Sequence, residues 1–591
     1  MPNNFSTDRR DFRGTVIAIV LVVIVLISLS ALSLSKLMLA ERRAATYNMR
    51  QTQTRYLAES GIDAIRTLLL YNEEDLLEMG GVYDNIDELC GTLVTESPNN
   101  YSDDLREVGR FTVVSPLIDE NGMPNGVRYG LTDESTKIDL RMILAYEQTQ
   151  PGVGRAILTR LPGIDESVAD AILDWIDEDD DPREYGAEAD YYEGLDPPRP
   201  TRNGMIESLD ELLLVEGVTP SLLYGADWNR NGLIDVGEPD PSQLVDAEGT
   251  EYENSDGYLD CGLNAFLTIR SAESQTSSDG SQKVNVNNDD LNTLQQELTS
   301  KLNNTEQVNY IIAYRLFGQT ALTIPEENES EPSPSSNSQS GSNNASTSEN
   351  SSGNTPSNAA ENAPPTGNSS GASNNSATEN ASERSFDLSR TPQAKIFSVL
   401  DLVGGSLQVQ YSGESTTETL NSPFTEASMP TDLPTLLNSL RFNDNEYSRI
   451  NINQASRGVL LAIPGVTEEV ADNIIANRVS DPAEQADMET SEETTYNILT
   501  TLIDYVDFET LKQIAPYVAV EGTVLTAQFI GRFDASSPAT RLHVWLDTSE
   551  KPAKIVRVQD LSNLGPGFSP DILGVNQDAR STFSVGNAVN R

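Results

Sequence analysis

The chain has 591 residues, with 39 Lys and Arg against 91 Asp and Glu, a formal charge of −52, one histidine and two cysteines. Such a surplus of acid repels phosphate backbones unless a local basic face overcomes it, and the sequence shows none, so a nucleic-acid partner is not expected. His543, the only imidazole, leaves no histidine-rich zinc site and little histidine general-base chemistry, while Cys90 and Cys261 are too far apart for a CxxC site or a disulfide framework, and spacing leaves open whether they pair.

Residues 15–35 are uncharged and mostly apolar, and at about 1.5 Å per residue they make a helix long enough to cross a hydrocarbon core. The run is too long for the apolar core of a cleaved secretory signal and passes without a break into a helical pattern. Up to about Leu70 there is no proline, and Leu37, Leu39, Met49, Tyr56, Leu57, Ile62, Ile65 and Leu69 recur near helical spacing. Span and stem are therefore predicted as one helix over 15–70. In 71–136, Phe111, Val113, Val114 and Tyr129, followed by Ile138, read as short strands, with turns at Asn121-Gly122 and Asn125-Gly126. A small sheet is expected to pack on the stem.

A repeat follows. LPGIDESVADAI (161–172) aligns with IPGVTEEVADNI (463–474), and upstream KIDL (137–140) with RINI (449–452). A degenerate copy begins at KVNVN (283–287). Helical units are predicted at 137–270, 271–324 and 430–520. Each Pro-Gly reads as helix, tight turn, helix: a helix-hairpin-helix of SAM-like type. Such hairpins bind DNA by aiming a helix N-terminus at a phosphate, but here Asp165, Glu166, Glu468 and Glu469 occupy that position. Protein contact is the expected role, and a membrane-anchored module for DNA or a surface polymer is the alternative.

Two acidic segments are candidate cation sites. In 174–198, Asp177, Asp179, Asp181, Glu188 and Asp190 supply carboxylates that suit calcium rather than zinc; a solvated loop is the bland alternative. DWNRNGLIDVGE (227–238) fills every constrained position of an EF-hand loop. Asp227, Asn229 and Asn231 would give side-chain oxygens, Gly232 the turn, Leu233 its carbonyl, Asp235 a direct or water-mediated contact and Glu238 a bidentate cap, with Ile234 expected in the core. Calcium is the predicted cofactor, held at about 10⁻⁴–10⁻³ M by an unassisted loop, a staple rather than a signal. A hydrolytic metal needs an activated water beside a general base. No motif places one, and no enzyme activity is expected.

From Pro325 to Ser385 no large aliphatic or aromatic residue occurs, and disorder is predicted. Strand alternation marks 386–429, and again 521–591, where His543 beside Trp545 is expected to pack without a catalytic role. The predicted fold class is α+β: a long membrane and stem helix, a small antiparallel sheet, helical insertions, a disordered linker and C-terminal strands.

The sequence Arg13-Gly14-Thr15, a basic leader ending in Gly ahead of the apolar run, resembles the prepilin-type leader, with residues 1–14 as leader and cleavage by prepilin peptidase between Gly14 and Thr15. Counted from Thr15 the fifth residue is Ile19, where most of that family has Glu. Its absence is typical of the minor pseudopilin K family of the type II secretion system. A carboxylate in the bilayer needs a neighbour's amine, and a tip subunit has no neighbour above it. DEST-KIDL, the LPGI turn, DWIDEDDDP, GAEADYY and SLDELLLVEGVTPSLL are similar to that family's inserted helical domain over about 130–225; GLNAFLTIRS (262–271), and more weakly IAPYVAVEG (514–522), resemble its closing segments. The resemblance implies a pilin-like α/β body, calcium sites, and a pseudopilus tip shared with minor pseudopilins I and J. It further implies contact with the inner-membrane secretion platform, and a single inner-membrane pass with a cytoplasmic N-terminus and a periplasmic bulk. The linker, the extra unit and the C-terminal strands depart from the compact family pattern, and no role is assigned beyond 325.

Overall fold

The computed structural model describes residues 12–95, 108–119, 121–277, 279–318, 384–443, 447–479, 502–503, 505–534, 538–574 and 582–584. The leader before residue 12 and the linker up to 383 lie outside the described residues.

Helix α1 runs unbroken over Phe12–Leu68. Among the described residues it is the one helix long and apolar enough to cross a membrane. Its apolar side chains from Val16 to Met49, with Tyr56, are exposed, whereas Leu57, Ala58, Ile62 and Ile65 are buried. Of the predicted stripe, then, only the C-terminal end finds a packing partner among the described residues. Gly61 permits that contact, because a Cβ there would stand 2.9 Å from the Phe111 ring.

The partner is a sheet of eight strands. β1 (Thr92–Thr95), β2 (Gly109–Ile118), β3 (Pro124–Arg128) and β4 (Thr132–Asp133) precede the helical units; β5 (Val524–Phe533), β6 (Thr540–Asp547), β7 (Lys554–Asp560) and β8 (Thr582–Ser584) follow them. The order is β7-β6-β5-β2-β1-β8, with β3 on β2 and β4 on β5. The central join is β2 against β5, antiparallel, with Val113 opposite Phe529. The C-terminal strands thus complete the sheet that the N-terminal strands begin, and everything between β4 and β5 is an insertion. One face packs Phe111, Val113, Phe529, Leu542, Val544 and Leu546 on α1. The other gathers Val114, Ile530, Phe568 and Leu573.

One predicted turn is corrected. Asn121-Gly122 does turn, with Gly122 at φ 76°, but Asn125-Gly126 lies inside β3, where the register against β2 shifts. Gly126 at φ 99° absorbs that irregularity as a strand glycine.

The insertion is built three times on one plan. A two-residue parallel pair closes each unit: Ile138–Asp139 with Leu267–Thr268, Val284–Asn285 with Leu440–Arg441, and Ile450–Asn451 with Val518–Ala519. In each opening strand the second residue bends the chain through its side chain. Asp139, Asn285 and Asn451 accept the N–H two residues on, at 2.8, 3.0 and 3.0 Å. The second unit therefore reaches from 284 to 441, beyond the predicted end at 324, and the linker is an excursion within it. Its residues before and after the linker meet directly, Phe317 against Phe386 at 5.9 Å between ring centroids. All three units share one continuous apolar core.

Candidate metal-binding loops

The first hairpin joins the helix Val153–Leu158 to the helix Glu166–Ile176 through Gly163 at φ 75°. Asp165 caps the second helix, accepting from the Val168 N–H at 2.9 Å, and Arg155 grips Asp170 across the pair at 2.7 and 2.5 Å. The same parts recur around Gly465: Thr467 caps at 3.3 Å, and Arg457 pairs with Asp472. Glu166, Glu468 and Glu469 are exposed at the helix N-termini, where they repel a phosphate.

Behind the first hairpin, the acidic segment separates into two sets. Asp177 and Glu188 are buried, joined by Asp174, while Asp179, Asp181 and Asp190 face solvent. Arg183, absent from the predicted set, sits among the buried acids with Nη1 2.6 Å from both Asp174 and Asp177. One Asp177 oxygen and both Glu188 oxygens are buried without a hydrogen-bond partner. Burial, then the charges of Asp174 and Asp177, push the Glu188 carboxyl up to about 7.

The loop 227–238 brings its predicted residues together. Buried Asp227 accepts the N–H groups of Asn231 at 3.0 Å and Gly232 at 2.8 Å. Glu238 accepts those of Asn229 at 2.9 Å and Asp235 at 2.8 Å, and Asp235 Oδ2 is held by the amides of Asn229 at 2.9 Å and Asn231 at 2.7 Å. Burial, opposed by the N–H donors and reinforced by Glu238, raises the Asp227 carboxyl to about 6. The predicted core residue is corrected: Ile234 is 40 % exposed, and its neighbour Leu233 packs against the sheet. The loop is clamped to that sheet by Arg541 of β6, which donates to the Asn229 carbonyl. Nothing in the local sequence could have disclosed that clamp.

Among the described residues no three His, Cys, Asp or Glu side chains converge as a ready metal cluster. The loop's donors nevertheless fit a hard cation. Its oxygens are carboxylates and amides, and Asn229 Oδ1 is buried without a partner. Turning the Asn229 amide by half a turn would present its unpartnered oxygen in place of an N–H without moving the backbone, while Asn231 keeps its bonds to the Leu233 N–H and the Gly567 carbonyl. His543 accepts or donates to Thr526 at 2.9 Å and lies against Trp545 at 4.0 Å; Cys90 and Cys261 are not joined in a disulfide.

Residues 144–225 match the family model described as Type II secretion system (T2SS), protein K. They contain the first hairpin and the acidic segment, and the match supports the recognition of minor pseudopilin K. No curated protein matches the chain. The match covers 82 of the 591 residues and supports a role in type II secretion for a chain whose N-terminal helix, among the described residues, is long and apolar enough to cross a membrane.

Proposed function

We propose that this chain is the minor pseudopilin at the tip of the type II secretion pseudopilus, where it meets minor pseudopilins I and J. One observation carries the reading: a three-unit head is inserted into a sheet seated at the far end of a 57-residue helix, whose large apolar side chains from Val16 to Met49 are exposed among the described residues. A helix exposed over such a length needs lipid or neighbouring helices around it, and a head of this bulk blocks further subunits above. Ile19, 63 % exposed, supports the top position, since it needs no neighbour's amine. The helix leaves the bilayer to pack beside its neighbours, the N-terminus starting in the cytoplasm and the head remaining in the periplasm.

Calcium would be held by Asp227, Asn229, Asn231, the Leu233 carbonyl, Asp235 and Glu238, with Asp177 and Glu188 as a second set. When bound, it supplies positive charge that offsets the mutual repulsion of these acids. Asp227 and Glu238 orient the loop by accepting its N–H groups, and Leu233 fastens it to the sheet.

Co-expression with prepilin peptidase tests the reading by intact mass and N-terminal sequencing, together with co-purification of minor pseudopilins I and J. The expected product begins at Thr15 and carries both partners, while a Gly14→Leu chain keeps Met1. A wild-type chain that also keeps Met1, or one that retains neither partner, would move the anchored binding-protein reading to first place.

A further inference from the structure

Between the sheet and the first helical unit lies a cleft of about 460 Å³, walled by β2, β5, β6 and β7 on one side and by residues 208–210, 230–234 and 264–270 on the other. Its size falls within the roughly 300–1,000 Å³ of ligand pockets. Most charges that line it have partners. Arg230 holds Asp210 at 3.0 Å, and Lys137 stands 3.7 Å from Glu134. Two cations do not. Neither Arg270 nor Arg557 has a carboxylate within 4 Å among the described residues; Arg557 contacts the Glu207 carbonyl and the Ser208 hydroxyl, the latter at 2.9 Å. Arg270 Nε is buried with no acceptor.

In a chain of charge −52, two guanidiniums that line one cleft without a carboxylate within 4 Å among the described residues are a costly arrangement unless an anion joins them. Burial, and next the Arg270 charge, lower the Arg557 guanidinium below its ordinary value, with Asp210 and Glu134 acting the other way. The same walls carry orphan acceptors: Gln528 Oε1 and Glu134 Oε2 are buried without a donor. The ligand these groups specify is anionic at one point and offers N–H donors at others, and Ile269 and Trp545 add apolar lining, the Arg557 guanidinium lying 5.4 Å from the Trp545 ring. A bare inorganic anion would satisfy the arginines and leave both acceptors orphaned.

We propose that the cleft binds an extended peptide bearing a carboxylate, which lodges between Arg270 and Arg557 while peptide N–H groups reach Gln528 Oε1 and Glu134 Oε2. The carboxylate comes from an acidic side chain or from a chain terminus. The site stands apart from the tip reading, since no residue of α1 takes part.

The test is calorimetric titration of the full chain in detergent with three pentapeptides: one capped at both ends with a central Glu, its Gln counterpart, and the Gln peptide with an uncapped C-terminus. Binding of either charged peptide, at least tenfold tighter than the neutral one, is expected, and the stronger of the two identifies the carboxylate's source. Arg270→Gln should weaken the charged peptide about tenfold, the loss of one charge-assisted contact, and leave the neutral one unaffected. Equal binding of all three peptides, no binding up to millimolar concentration, or displacement by sulfate at the peptide's own half-saturation would overturn the proposal. Should Arg270→Gln fail to fold, the wild-type peptide series decides alone.

Discussion

Gln528 of β5 donates from Nε2 to the carbonyl oxygen of Arg230 at 2.7 Å, across 298 residues of sequence. With Arg541 on the Asn229 carbonyl and Asn231 on that of Gly567, it fixes the loop 227–238 to strands made far later in the chain. A cation in this loop would therefore stabilise the junction of head and sheet, not the loop alone.

Calcium should raise the thermal midpoint. At 10 mM ion and an affinity of about 10⁻⁴–10⁻³ M, binding to the folded chain contributes about 1.4 to 2.7 kcal/mol, a shift of a few degrees. Scanning calorimetry in calcium and in EGTA measures it, and Glu238→Gln should remove most of the response. An identical midpoint in both buffers would dismiss the calcium assignment.

The two hairpin ion pairs should differ in weight. Asp170 is fully buried against Arg155, so Asp170→Asn leaves a guanidinium without its buried partner and should cost about 3 kcal/mol. Asp472 is 64 % exposed, and Asp472→Asn should cost under about 1 kcal/mol. Urea unfolding of both variants makes the comparison.

A single imidazole allows a clean pH experiment. Burial, then the charges of Lys137, Arg541 and Arg557, hold His543 well below its ordinary value, so the unfolded chain binds the proton more readily than the folded one. Stability from this group is fully present above the unfolded value of about 6.5 and falls as pH drops beneath it. The midpoint of the wild type should therefore decline more steeply from pH 7.5 to 5 than that of His543→Gln. Parallel curves would show that the ring titrates alike in both states.

Replacing residues 320–383 with eight Gly and Ser should leave the fold intact, because Phe317 and Phe386 already bring the two ends together. Shortening the excursion about eightfold removes closure entropy worth about 2 kcal/mol. A variant that loses its cooperative transition would show that the segment itself supports the second unit.

Both cysteines should take up an alkyl group when the chain is denatured without reductant. Cys90 lies buried near Ile572, and burial, then Asp227, raises Cys261 to about 12, too high for ready exchange at neutral pH. A mass lacking two adducts would place a disulfide between them.

What could be read beforehand was local. The 3.6-residue pattern disclosed α1, the Pro-Gly repeats disclosed two hairpins, and the loop 227–238 was complete within twelve letters. Pairing between distant strands leaves no such trace, because period-two alternation says that a strand exists and not which strand it joins. Hence β5 to β7 were recognised as strands without their place beside β2, and the second unit was cut short at the linker. Arg183 and Leu233 were missed for a related reason: each side chain is placed by tertiary contacts, Arg183 among Asp174 and Asp177, Leu233 against the sheet. Arg270 and Arg557, in different parts of the chain, share a cleft only once the sheet has closed.

Arg110 of β2 meets Asp534 across 424 residues, and that separation imposes an order of events on biosynthesis. A chain synthesised from its N-terminus presents the half-sheet of β1 to β4 long before its complement is made. The three units, each closed by its own short strand pair, are free to fold in the meantime, while Val113 and Phe111 wait with an open edge. Protection of that edge, by a chaperone or by the neighbouring stem, is thus a requirement of manufacture rather than of the finished molecule.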